Sequence, residues 1–347
     1  MKVLYIGPES GTAIHRINAF RRLGHEVRSL DAWIPVDTLP VIPERLTDAW
    51  VVRTGAFGLG RLVENWMFRQ IGGETFDVVF VDHGELVDAS CVRRFKTVSR
   101  VVVNYNQDNP YVSRDMRKWR LFLKALPYYD LVATPRSSSV EPARRAGAKH
   151  VMLVRQAADE AIHRPIELSD EDRARFSSDV AFVGTWMPER GPFMLRLIER
   201  GVPIVIYGPR WNKAPEYERL RANVRLGTLE GLDYVKAIRG AKIAIGLLSK
   251  GNEDLYTTRS LEIPATGTAF CAERTPDHLD MYVDGEEAVF FDDADECADR
   301  CLELLKTPEK IAAIAAAGHR KVVRNGDFNE ILLTRIVDHA LKAEAFA

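Results

Sequence analysis

The chain is 347 residues long, 46% hydrophobic and 28% charged, with a formal net charge of −1. That length suggests two domains of ordinary size, and the composition is that of a globular chain with ample core, which excludes disordered and fibrous classes. No apolar run approaches the ~20 residues needed to span a bilayer, and no aromatic-rich recognition motif accompanies the basic residues, so neither a membrane span nor nucleic-acid binding is expected.

The charge is unevenly spread. Residues 1–165 hold 24 Lys and Arg against 18 Asp and Glu, whereas the remainder holds 24 against 31. Arginine gathers at Arg16, Arg21 and Arg22, at Arg93 and Arg94, and from Arg114 to Lys124. This is either a solvated basic face or a surface for an anionic partner. Met1-Lys2 runs directly into VLYIG, which is too soon interrupted for a signal peptide. Cys91, Cys271, Cys297 and Cys301 form no CxxC pair, and Cys297 and Cys301, four apart on a predicted helix, read as buried free thiols. The expectation is a cytoplasmic, reduced and zinc-free protein.

In chain order, a strand is predicted over Lys2 to Ile6, then the loop GPESGT, an amphipathic helix from about Ala13 to Leu23, and a strand over Glu26 to Leu30. Gly7 and Gly11 do not make GxGxxG, so a dinucleotide-binding role for Asp31 is disfavoured, and a nicotinamide dehydrogenase with it. Pro35, Pro40 and Pro43 break the next part, and LVENWMFRQI (Leu62 to Ile71) is a helix whose Trp66, Met67 and Phe68 read as core. Strands follow at Phe76 to Val81, Val101 to Tyr105, Leu131 to Ala133 and Val151 to Val154; the Ser/Thr run in TPRSSS reads as a loop and helix cap. The polar ends of these strands, Asp82-His83-Gly84 and Asn106 to Pro110, lie where parallel sheets bind ligands. Arg155 to Asp179 is polar and weakly periodic and reads as the interdomain connection.

A second α/β pattern comprises VAFVG, IVIYG, VRLG, KIAIGLL, TAFCAE and AVFFDD. Gly184, Gly208, Gly227 and Gly246 end or adjoin four of these strands, placing side-chain-free turns along one sheet edge, as a phosphate-bearing ligand requires. The helix from Pro308 to Val323 reads as structural, and the one from Phe328 to Ala345 as packing back on the first domain.

The second half is organised around YTTRSLEIPATGTAF, Tyr256 to Phe270. Arg259 and Glu262 are three apart and share one helix face; Gly267 is placed to stop that helix, and Pro264 is expected only in its first turn. A guanidinium with backbone N–H groups suits a diphosphate, and a carboxylate suits a ribose. The pair is equally compatible with an ordinary surface Arg–Glu pair.

From VAFVGTWMPERG, VIYGPRW, VRLGTLEGLDY, AKIAIGLLSKGNEDLYTTRSLEIPATGTAF and EEAVFFDD, in that order, the second half resembles the carboxyl-terminal domain of a GT-B glycosyltransferase of the spore-maturation CgeB-type group. The first half matches more loosely, through YNQDNP and YYDLVATP. The resemblance implies two Rossmann-like parallel-sheet domains facing each other across a cleft. Residues 1–158 would be the acceptor-side domain, 159–327 the nucleotide-sugar-binding domain, and the helix 328–347 would pack back on the first.

What the resemblance implies for function is transfer of a sugar, with retention, from a nucleotide-diphosphate sugar to a glycan, lipid-linked or protein acceptor, with peripheral membrane association compatible. Glu262 looks like the ribose carboxylate. The family's preceding acid, eight positions earlier, is Asp254 here with Glu253 beside it, a departure that leaves the anomeric outcome open. Gly184, Thr185 and Arg190 would hold the donor diphosphate. Tyr207 and Gly208 would lie near the nucleotide, and Gly227 to Leu229 near its base. No DxD pair ends a strand near these motifs, so Arg190, Arg259, backbone N–H groups and Lys250 would stabilise the leaving group without an obligatory metal or other cofactor. On the acceptor side Asp82, His83, Glu85, His15 and Asp108 are candidates to receive a proton, His83 and Asp108 first. Two other classes share the architecture: a nucleotide-sugar epimerase, which needs no acceptor, and a non-catalytic nucleotide-sugar-binding protein.

Overall fold

The computed structural model describes residues 1–39, 44–115 and 117–344. Pro40, Pro43 and the end of the last helix at Ala345 lie outside them. By its contacts the chain divides into two units, Met1–Gln156 with Asn329–Ala347, and Ala157–Phe328.

The first unit has strands β1 (Lys2–Ile6), β2 (Glu26–Leu30), β3 (Phe76–Asp82), β4 (Ser99–Tyr105), β5 (Leu131–Thr134) and β6 (Val151–Leu153). They form one parallel sheet in the order β2-β1-β3-β4-β5-β6. Val3 to Ile6 and Val78 to Val81 are fully buried because helices cover both faces, which is why these strands read as unbroken apolar runs. The strand order reverses between β1 and β3, and the loops leaving those two strands therefore diverge and open a crevice. The last helix, Asn329–Glu344, belongs to this unit and packs on the helix Gly11–Arg22 and on β4, with Arg22 paired to Glu330 at 2.6 Å.

The second unit has β7 (Ser178–Val183), β8 (Ile204–Gly208), β9 (Val224–Leu226), β10 (Ala241–Gly246), β11 (Ala269–Glu273) and β12 (Val289–Phe291). All are parallel, in the order β12-β11-β10-β7-β8-β9, with the reversal between β7 and β10. The long helix Pro308–Asn325 packs on β11 and on the helix Arg259–Ala265.

Several sequence expectations need correction. Part of the stretch read as a connection is the helix Asp170–Phe176, started by a capping box in which Ser169 Oγ accepts from Asp172 N–H. Glu44–Thr54 is helical, and Pro35 does not break the chain, because it sits in the first turn of the short helix Ile34–Asp37, where no N–H is needed. The serines after Pro135 are the first turn of the helix Ser137–Arg145 and do not cap it; Arg136 precedes it without a side-chain cap. Pro264 lies in the second turn of Arg259–Ala265, beyond the first turn to which the sequence reading confined it. The carbonyl it leaves without a helical donor, that of Ser260, accepts the Tyr282 hydroxyl at 2.7 Å.

Candidate functional site

The second unit gathers its polar chemistry where β7 and β10 end. Gly208 has φ +152°, and a Cβ there would lie 2.1 Å from the Gly184 carbonyl oxygen, so only glycine lets the ends of the paired strands β7 and β8 approach this closely. Gly184 is bonded on both sides: its N–H donates to Tyr207 O at 2.8 Å, and Trp211 Nε1–H donates to its carbonyl at 2.9 Å.

Against this turn stands Arg190, the first residue of the helix Arg190–Glu199 and 5% exposed. Its guanidinium donates to Thr185 O at 2.8 Å and Leu247 O at 3.1 Å, tying the exits of β7 and β10 together, and its buried Nε has no partner. Arg259 Nε donates to Val183 O at 2.9 Å. Among the described residues neither guanidinium has a carboxylate within ion-pair distance. Burial, and after it the charge of Arg259, pull Arg190 down to about 10. The two guanidiniums, held on backbone carbonyls, concentrate positive charge at the exits of β7 and β10, with Glu189, Asp254 and Glu273 near enough to offset part of it at Arg190.

Glu262 is on the same helix as Arg259 but is not paired with it and is 5% exposed, so the surface-pair reading does not hold. Its Oε2 accepts the Tyr234 hydroxyl at 2.5 Å, and His163 Nε2 faces Oε1 at 3.9 Å. Ser260, beside Arg259, bonds His278 Nε2 at 2.8 Å, while His278 Nδ1 donates to Glu273 O at 2.6 Å; this buried chain fixes the start of the helix. Tyr234, His163 and His278 were not singled out from sequence. Only Tyr234, inside TLEGLDY, lay within a matched motif.

Other expected residues are placed differently. The Tyr207 ring is buried in the core, 6.3 Å from Phe176, and serves the turn through its carbonyl. Asp254 accepts from Ser249 N–H at 3.1 Å and Asn252 Nδ2 at 2.8 Å, bracing its own loop. Lys250, expected at the diphosphate, pairs with Glu273 at 2.5 Å. Gly227 has φ +116° in an exposed turn, and Leu229 packs against the core. Gly246 makes room for the Phe270 ring. Asp293 caps the helix Ala294–Leu305 and Asp292 pairs with Arg274. Cys271 joins Cys297 and Cys301 in a buried cluster whose sulfurs lie within 4.8 Å of one another. The grouping was not foreseen, because Cys271 is on β11 and the other two on a helix.

The first unit has its own crevice, a cavity of about 210 Å³ lined among others by Gly7, Asp31, Trp33, Glu85 and Lys118. Asp82, at the end of β3, is fully buried as a side chain. Its Oδ2 accepts from Arg16 Nη2 at 2.6 Å and from the Tyr5 hydroxyl at 2.5 Å, whereas Oδ1 is buried without a hydrogen-bond partner. His83 follows at φ +60°, with Nε2 3.8 Å from Asp82 Oδ1 and Nδ1 3.5 Å from Asp108 Oδ2. Burial pushes the imidazole down, but Asp108 and Asp82 outweigh it and hold His83 above its usual value. Burial likewise pushes Asp108 up, and His83 brings it down to about 2. His83 and Asp108 are thus brought together, and His15 does not line the cavity. Arg114 pairs with Asp115, and Lys118 Nζ lies 3.7 Å from Glu85, so part of the basic cluster is neutralised locally. Trp66, Met67 and Phe68 pack inward, with Phe68 stacked on Phe95. No helix among the described residues is long and apolar enough to cross a membrane.

Residues 190–332 match the family described as glycosyl transferase-like, less than half of the chain. No curated protein sequence matches it. Among solved structures it is similar to sucrose-phosphate synthase from Thermosynechococcus elongatus, with TM-score 0.71 and 11% identity over 100% of both chains. It is also similar to Anabaena Alr3699/HepE in complex with UDP-glucose, with TM-score 0.68 and 13% identity over 99% of this chain and 100% of that one. A putative UDP-N-acetylglucosamine 2-epimerase from Listeria monocytogenes has TM-score 0.57 and 12% identity over 94% of each chain. The fold is GT-B.

Proposed function

We propose that this chain is a glycosyltransferase of the spore-maturation CgeB-type group, moving a sugar from a nucleotide-diphosphate sugar to an acceptor hydroxyl without an obligatory metal. The observation that carries the reading is Arg190 with Arg259, two cations held on backbone carbonyls outside any carboxylate ion pair among the described residues, at the reversal of the second sheet of a GT-B fold. When the sugar leaves, negative charge grows on the diphosphate, and fixed guanidiniums and backbone N–H groups stabilise it without reorganising. The match of residues 190–332 and the neighbour holding UDP-glucose support this class of donor.

In the first unit, the proposal gives His83 the acceptor proton, with Asp108 orienting the ring and the buried Asp82, paired to Arg16, holding a negative charge beside it. Asp254 is occupied within its loop, so retention of configuration rests in this proposal on the donor site as a whole and is read from the product anomer. The test is incubation with UDP-, ADP- and GDP-sugars, with and without glycan and lipid-linked acceptors, following nucleotide release and product. Acceptor-dependent transfer is expected. A sugar isomer formed without acceptor would establish the epimerase reading instead, and binding without turnover would leave a nucleotide-sugar-binding protein.

A further inference from the structure

Glu262 is expected to meet the ribose of the donor, yet in this chain its carboxylate already has a fixed companion. Tyr234 lies in the first turn of the helix Gly231–Arg239, directly after the exposed glycine turn at the end of β9, and its hydroxyl donates to Oε2 at 2.5 Å. That length is typical of a hydroxyl on a charged carboxylate and marks a strong bond. Burial, and then the neighbouring Glu262 charge, push the Tyr234 phenol well above its usual value, so it stays a donor throughout the working pH range. On the other side, His163 Nδ1 accepts the Asp159 backbone N–H at 2.9 Å, so the neutral ring carries its proton on Nε2, which faces Oε1 at 3.9 Å. The His163 and Tyr234 rings meet edge to face at 6.0 Å. Glu262 itself is buried, 5% exposed.

We propose that Tyr234 is a positioning residue that locks the Glu262 carboxylate, so that Oε1 is the more available oxygen and the site reads one ribose hydroxyl in preference to the other. This rests on the nucleotide-sugar reading above. A carboxylate free to present both oxygens would accept from the 2′- and 3′-hydroxyls alike. One whose second oxygen is held by a phenol has its plane fixed and one of the Oε2 lone pairs taken, so the hydroxyl that meets Oε1 is bound better than its neighbour, and its loss is felt more.

The experiment is calorimetric titration of the wild type and Tyr234→Phe with UDP and ADP, their 2′-deoxy and 3′-deoxy analogues, and inorganic pyrophosphate. In the wild type, one deoxy analogue should bind about tenfold or more weakly than the parent, and the other within about threefold. In Tyr234→Phe the two analogues should converge to within about threefold of each other, while pyrophosphate affinity is unchanged. The unchanged pyrophosphate value shows that the variant is folded and its diphosphate site intact. Equal losses for both analogues in the wild type, or wild-type discrimination retained in the variant, overturn the proposal while leaving the donor reading in place. Absence of UDP and ADP binding by the wild type overturns both together.

Discussion

At the scale of single residues, the account turns on groups whose surroundings leave them incomplete. Glu262→Ala should weaken binding of a nucleoside diphosphate by about 1.5–3 kcal/mol, the worth of a hydrogen bond to a charged group, with the melting temperature of the free protein showing that the fold survives. Unchanged affinity in a folded variant would remove the ribose role. His83 makes a pH prediction whose sign is set by its partners. Because Asp108 and Asp82 hold the imidazole above its usual value, a base at His83 becomes neutral only as pH rises through that raised value, so acceptor-dependent transfer should climb there. Asp108→Asn removes part of the stabilisation of the charged ring, and the rising limb should move to lower pH. A limb that stays put would take the proton away from His83. The same pair bears on stability. The share from His83 is present at low pH and lost as pH rises through its folded value, and the share from Asp108 is lost as pH falls through about 2.

At the scale of elements, backbone constraints that look local decide where the side chains stand. Gly208→Ala would put a Cβ 2.1 Å from the Gly184 carbonyl oxygen at φ +152°, so it should destabilise the second unit by several kcal/mol and lower its melting temperature. A tolerated substitution would mean that the two strand ends move apart freely. The strands themselves were legible, since buried parallel strands are apolar on both faces and end at polar or glycine residues, as FDVVFVDHG and VAFVG do. The helix Asp170–Phe176 was not, because its polar, charged surface carries little apolar periodicity and only the Ser169–Asp172 capping box marks its start. Pro264 was misjudged because the donor that rescues its helix, Tyr282, comes from the end of a later helix, Pro276–Met281, 22 residues beyond the Ser260 carbonyl that it serves. For the same reason Arg259 and Glu262 could be set on one helix from their spacing, whereas Tyr234 and His163, supplied to Glu262 by another helix and by the loop after β6, could not be foreseen.

At the scale of the whole molecule, the anionic donor is assigned to the half that carries the acidic excess, so a local arrangement must prevail over net charge. Screening confines surface fields to about 8 Å at physiological salt, while Arg190 and Arg259 sit within the fold and act at contact. Since leaving-group charge is given to these guanidiniums, chelator should not abolish donor cleavage or transfer. Activity lost in EDTA and restored by Mg²⁺ or Mn²⁺ would require the account to be rebuilt around a metal. The most direct measurement of the central claim is a calorimetric comparison of UDP and ADP with UMP and AMP, on the wild type and on Arg259→Gln. The account predicts that the wild type binds the diphosphates more tightly than the monophosphates, and that Arg259→Gln loses most of that difference while monophosphate affinity barely moves. Equal affinity for mono- and diphosphates in the wild type, or an Arg259→Gln variant that keeps the full preference, would contradict it.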